Sequence, residues 1–197
     1  MSSTRPGFLL VALMIPLLMT RSPISTAAEQ APRVRLETTM GNIVLALDRE
    51  HAPTTVDNFL TYVNDGFYDG TIFHRVIDGF MIQGGGYTAD LSRKETRAPI
   101  KNEADNGLKN ARGSIAMART QDPHSASAQF FINVVDNTML DYKAPDARGW
   151  GYAVFGRVAE GMEVVDKIRA RTTGVQGGFR DVPKKTIAIT RAVVEAP

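Results

Sequence analysis

Short runs in which apolar and polar residues alternate, cut off every few positions by Gly, Asn, Asp or Pro, dominate the chain from residue 33 onward. Successive side chains of a strand point to opposite faces, so such a run is a half-buried strand. Residues 34–38 and 43–47 flank Met40-Gly41-Asn42 and read as a β-hairpin. Residues 71–77 and 80–83 read as strands joined through Asp78-Gly79, and 114–118, 129–134, 153–158 and 186–194 as further strands. Only two stretches keep a helical period. In the first, near 53–65, Pro53 suits a first turn, Val56, Phe59, Leu60 and Val63 share one face, and Gly66 stops it. In the second, near 160–170, Met162, Val165 and Ile168 mark the face. Residues 84–112 are polar and broken by glycines and Pro99, a loop long enough to carry function. No internal repeat or low-complexity segment is present. The expectation is one mainly β domain, an antiparallel barrel or sandwich with two helices.

The N-terminus obeys another rule. Arg5 precedes the apolar run 8–19, and a polar stretch ends at Ala27-Ala28. That is the three-part plan of a secretory signal peptide over residues 1–28, with the mature domain over 29–197. The run is too short to span a bilayer, so no stable membrane association is expected after cleavage; an uncleaved anchor is the alternative. The chain has 23 Lys and Arg against 21 Asp and Glu, and the excess is Arg5 and Arg21 of the leader. The mature charge is therefore balanced and gives no argument for nucleic acid as a partner. There is no cysteine, which excludes disulfides, zinc-thiolate sites, thiol catalysis and a lipid-anchored N-terminus.

Most catalytic signatures are missing as well. Gly84-Gly85-Gly86 lacks the Gly-Lys-Ser/Thr of a phosphate loop, and no Gly-x-Ser-x-Gly occurs. His51, His74 and His124 are scattered without metal-ligand spacing, so no metal or cofactor is expected. Instead, Phe73-His74-Arg75-Val76-Ile77-Asp78-Gly79-Phe80-Met81-Ile82-Gln83-Gly84-Gly85 sets an arginine and a glutamine among large apolar side chains. Gln129-Phe130-Phe131-Ile132-Asn133 repeats the mixture of amide and aromatic groups. Arginine and glutamine without a nearby acid, base or nucleophile suit a reaction that moves no proton and cuts no bond. Rotation about an X-Pro peptide bond is such a reaction.

Together with Gly113-Ser114-Ile115-Ala116-Met117-Ala118, Tyr152-Ala153-Val154-Phe155-Gly156-Arg157-Val158 and Gly161-Met162-Glu163-Val164-Val165, these motifs resemble the cyclophilin family of peptidyl-prolyl isomerases. The resemblance covers roughly residues 33–194, and 100–107 look most like its bacterial periplasmic branch. It implies a closed eight-stranded antiparallel barrel capped by the two helices, a periplasmic location and monomeric action on proline-containing peptides and unfolded exported proteins. It also implies site residues. Arg75 falls at the family's essential arginine, followed by Phe80, Met81 and Gln83. Ala118 and Arg119 fall where backbone binds the peptide, Phe131 at the floor of the proline pocket, and Leu140 at its apolar wall. Three positions depart from the pattern. Asp78 replaces a proline, Met139 stands where many eukaryotic members have tryptophan, and Tyr152 where they have histidine. Trp150 is offset from that tryptophan, so weak cyclosporin binding is expected.

Taken singly, Phe80, Met81, Phe131 and Leu140 read as ordinary core residues and Arg75 as an ion-pair arginine. The joint pattern favours the catalytic reading. Its rival is a non-catalytic proline-peptide binding module or holdase on the same fold. Such a module needs the pocket but has no use for a transition-state donor at Arg75.

Overall fold

The structure, a computed structural model, describes Met1 and residues 31–195. The signal-peptide assignment to 1–28 therefore lies outside the described residues. Among the described residues, ten strands and two α-helices follow one another. They are β1 (Arg33–Thr38), β2 (Gly41–Leu47), α1 (Pro53–Asn64), β3 (Phe73–Ile77), β4 (Met81–Gly84), β5 (Ser114–Met117) and β6 (Phe130–Asn133). Then come β7 (Val154–Glu160), α2 (Met162–Arg169), β8 (Thr173–Gln176), β9 (Phe179–Pro183) and β10 (Ile189–Glu195).

Eight strands form one antiparallel sheet in the order β10-β1-β2-β7-β5-β6-β4-β3, the eight-stranded arrangement that the resemblance implies where alternation leaves barrel or sandwich open. The sheet curls until its ends meet, but closure is a short seam rather than a ladder. Ile72 bridges Ala188, Gly70 N–H donates to Ile189 O, Ile189 N–H to Thr71 O and Phe73 N–H to Ile187 O. The expected closed barrel is thus a curled sheet stitched at one edge. Alternation decides which residues enter it: Val34 and Leu36 of β1 are fully buried while Arg33, Arg35 and Glu37 stay half-exposed.

The interior is apolar, mostly aliphatic, with one group of packed aromatic rings. Phe59 meets Tyr68, Phe130 and Phe155 at ring-centroid distances of 5.1, 5.7 and 5.1 Å. Both helices contribute, α1 through Val56, Phe59, Tyr62 and Val63, α2 through Val164, Val165 and Ile168. Pro53 opens α1, and Glu103 from the long loop accepts from the amides of Thr54 (3.1 Å) and Thr55 (2.8 Å) that the helix cannot satisfy itself. Gly66, at φ +65°, ends it, with Phe67 N–H returning to Tyr62 O and Gly66 N–H to Val63 O.

Three expectations need adjustment. The first hairpin turns at Thr39-Met40, because Gly41 already pairs with Thr38. Helix α2 is shorter than 160–170, since β7 runs on to Glu160 and Gly161 serves as the cap. A second, two-stranded sheet made of β8 and β9, absent from the sequence reading, packs along β3.

Candidate active site

One cross-strand row organises the outer wall of the barrel. Arg75 pairs with Gln83, Gln83 with Phe131, Phe131 with Ala116, and Ala116 with Val154. Directly opposed residues of antiparallel strands share a face, so β3, β4, β6, β5 and β7 present these five side chains side by side. Their neighbours Val76, Ile82, Phe130, Ile115 and Met117 point the other way, into the interior cluster.

Met81, Ala116, Phe131 and Val154 form a second, smaller apolar cluster on this outer face. Ile77, Phe80, Leu108, Ala118, Leu140 and Tyr152 pack around it with part of each still in solvent. Phe131 is the floor, only 4 % exposed, and the Tyr152 ring meets it edge-on at 5.6 Å. The arginine end is polar. Arg75 Nη1 lies 3.5 Å from Gln83 Oε1, and Gln83 Nε2 donates to Gln129 Oε1 at 3.1 Å. A register shift between Phe73 and Arg75 leaves His74 as an extra residue in β3. Phe73 and Val76 both enter the interior, and the two residues between them do not. His74 packs on Tyr87 (4.6 Å between ring centroids) with its Nδ1 unpartnered. Burial, with the adjacent Arg75 charge assisting, pushes its pKa down to about 4, so the ring is neutral at neutral pH.

Three buried asparagines hold the walls of this cluster. Asn137 Nδ2 donates to Phe80 O (2.8 Å) and Asn133 Oδ1 (2.7 Å). Asn133 Nδ2 donates to Ser114 Oγ and Asn110 Oδ1, and Asn110 Nδ2 reaches Leu140 O at 3.1 Å and Tyr152 O at 3.4 Å. The amides thus fix the backbone of Phe80, Leu140 and Tyr152. The sequence motifs include Asn133 and Gln129 without assigning either to the site, and Asn110 and Asn137 are not singled out there. The only available signal was polar residues beside apolar strands, which is also how a surface reads.

The structure brings Arg75, Phe80, Met81, Gln83, Ala118, Phe131, Leu140 and Tyr152 to this one face. Arg119 adjoins it but turns away: its Nε donates to Gly151 O (2.9 Å), its Nη1 to Thr120 O (2.9 Å), and its guanidinium stacks over Tyr152 at 4.5 Å. It braces the wall. Met139 is 65 % exposed beside Leu140, outside the cluster. A groove of about 820 Å³ on the neighbouring wall shares Leu108 and Val154 with the cluster but contains none of Arg75, Gln83 or Phe131. Among the described residues, no three His, Asp or Glu side chains converge as a metal site.

An apolar floor with one fixed cation at its edge suits a ring-shaped apolar group joined to a polar amide. The comparisons agree. The family described as cyclophilin type peptidyl-prolyl cis-trans isomerase matches residues 33–194. A peptidyl-prolyl cis-trans isomerase of Streptomyces antibioticus is 58% identical over 161 residues, which are 82% of this chain and 97% of that protein. Peptidyl-prolyl cis-trans isomerase A of Dickeya dadantii is 52% identical over 186 residues, 94% of this chain and 96% of its own length. A cyclophilin type isomerase of Cryptosporidium parvum, solved in the presence of the dipeptide Ala-Pro, superposes with a TM-score of 0.68 at 26% identity, covering 84% of this chain and 99% of that one.

Proposed function

Because this chain belongs to the cyclophilin-type peptidyl-prolyl cis-trans isomerases and is an enzyme of that class, we propose that Arg75 accelerates X-Pro rotation by donating to the prolyl nitrogen in the twisted transition state, and that its clients are proline-containing exported polypeptides. Resonance holds the ground-state amide planar, and uncatalysed rotation takes tens to hundreds of seconds. Twisting removes that resonance, and the prolyl nitrogen gains a lone pair that neither isomer has. A donor aimed at it binds the transition state better than the substrate, which is the condition for catalysis. The guanidinium is permanently charged, planar and donor-only. A hydrogen bond to a charged group contributes about 1.5–3 kcal/mol, roughly ten- to a hundred-fold in rate.

The observation that carries this reading is the Arg75–Gln83–Phe131 row, which sets a half-exposed cation beside a buried aromatic floor. Phe131, Met81, Phe80 and Leu140 grip the proline ring, while Gln83 holds one edge of the guanidinium. Ala118 presents backbone to the peptide, although its own N–H is committed to Gln129 O. The N-terminal plan of 1–28 supports export to the periplasm, where unfolded chains with slow X-Pro bonds are available as substrates.

Refolding of a client limited by a slow X-Pro phase tests the function. Residues 29–197 should speed that phase and leave a client with all-trans prolines unaffected. Equal protection of both clients from aggregation, without acceleration, would favour the holdase reading. Mass measurement of the exported protein should find a start near Ala28 or Glu29; an intact Met1 on membranes would refute cleavage.

A further inference from the structure

The β8–β9 hairpin has no role in the account so far, yet it lies along β3, the strand that carries Arg75. Its pairing is irregular at one point. Gly174 pairs with Val182 and Gln176 with Phe179, so one residue of β8 faces two of β9, Arg180 and Asp181. That is a β-bulge, a device that redirects a side chain. Within it Asp181 has φ +61°, in the left-handed region that L-residues avoid and that aspartate tolerates better than most. Its carboxylate Oδ2 then lies 3.9 Å from Arg75 Nε. The hairpin is firmly seated: Phe179 meets Tyr87 edge-on (5.1 Å), Tyr87 packs at a tilt on His74, and Val182 and Pro183 are buried.

A pair at this separation, with each side chain more than two-fifths exposed, does little for stability. A left-handed aspartate in a bulge is therefore a poor way to strengthen the fold. It is a good way to orient a guanidinium. Gln83 on β4 meets the Nη1 edge, and Gln83 is in turn fixed by Gln129. Asp181 on β9 faces the Nε edge. Gln83 at Nη1 and the Asp181 charge 3.9 Å from Nε thus bias two different nitrogens of the fork and leave Nη2 for a ligand.

We propose that Asp181 is a positioning residue that holds the Arg75 guanidinium in the plane from which it donates to the prolyl nitrogen. This rests on the role proposed above for Arg75. Asp181→Gly accepts the left-handed backbone and removes the carboxylate, while Asp181→Asn keeps the shape and removes the charge. With an Ala-Pro peptide, Asp181→Gly should lower kcat roughly three- to ten-fold, leave KM within about two-fold and not lower Tm, with Asp181→Asn between it and the parent. In an Arg75→Ala background, Asp181→Gly should have no further effect, because nothing is left to position. A parental kcat for Asp181→Gly beside a slow Arg75→Ala would overturn the positioning role and leave Arg75 in place. A kcat loss that persists undiminished in the Arg75→Ala background would show that Asp181 acts by another route. A parental rate for Arg75→Ala would remove both assignments.

Discussion

The two faces of the β3-β4-β6-β5 wall are built from adjacent residues with opposite duties. Inside, Val76, Ile82, Phe130 and Ile115 join one apolar cluster that both helices help to fill. Outside, Arg75, Met81, Phe131 and Ala116 form a patch whose apolar part ends in a half-solvated rim and whose polar part ends in an arginine. The interior is finished, since its side chains already have their partners. The outer cluster is unfinished, since it stacks Tyr152 against one side of Phe131 and leaves Phe80 and Leu140 partly open. A patch held rigid by buried asparagines but left incomplete is what a ligand completes. A strand with period two lets one sequence serve both faces.

Phe130 and Phe131, adjacent in β6, separate the two faces most sharply. Phe130→Ala opens a sealed void among Phe59, Tyr68 and Phe73 and should cost about 3–5 kcal/mol in urea unfolding. Phe131→Ala opens a pocket that water reaches, so only the lost burial counts, about 1.5–3 kcal/mol, while turnover falls at least ten-fold with a raised KM. Equal stability losses with equal residual activities would erase the distinction between the faces. His74 sharpens it at the junction. Its folded pKa of about 4 lies below the unfolded value near 6.5, so the unfolded chain takes the proton first. The contribution is complete above pH 6.5 and is lost as pH falls toward 4, by about 3 kcal/mol in all. Replacing His74 by Leu should remove that part of the acid slope, and an unchanged slope would place the titration elsewhere. Met139, exposed beside Leu140 and outside the cluster, gives the smallest effect on turnover. Met139→Trp adds an indole donor and aromatic area, and should tighten cyclosporin binding roughly ten- to a hundred-fold in calorimetry with peptide turnover unchanged. Equal affinities would remove Met139 from that site.

The main sheet and both helices were legible because each buries one face, and burial writes a period into the sequence. The β8–β9 hairpin was not. Residues 173–183 bury only Val182 and Pro183, so no alternation marks them. Gly177-Gly178 between the two strands was the available hint of a tight turn, with both glycines at positive φ. Asp181 could not be foreseen, since its approach to Arg75 depends on a bulge in a hairpin that was itself unread. Arg75, Gln83 and Phe131 were assigned to the site by resemblance, and their shared row follows from strand register, which fixes neighbours across the sheet as alternation alone does not. Asn133 stands in one of the sequence motifs, but its bracing role with Asn110 and Asn137 is not legible, because a buried amide and an exposed one look alike in a sequence.

On the role proposed for it, Arg75 serves the transition state and not the fold. Magnetisation-transfer exchange of an Ala-Pro peptide, measured on residues 29–197 and on Arg75→Ala and Arg75→Lys beside urea unfolding of each, tests it directly. Arg75 is half-exposed and its ion pair is long, so unfolding should shift by less than about 1 kcal/mol. Catalysed exchange should fall at least ten-fold in Arg75→Ala and stay low in Arg75→Lys, where the charge remains but the planar fork is gone. Exchange at the parental rate in Arg75→Ala would contradict the account and leave the outer cluster as a proline-binding surface alone.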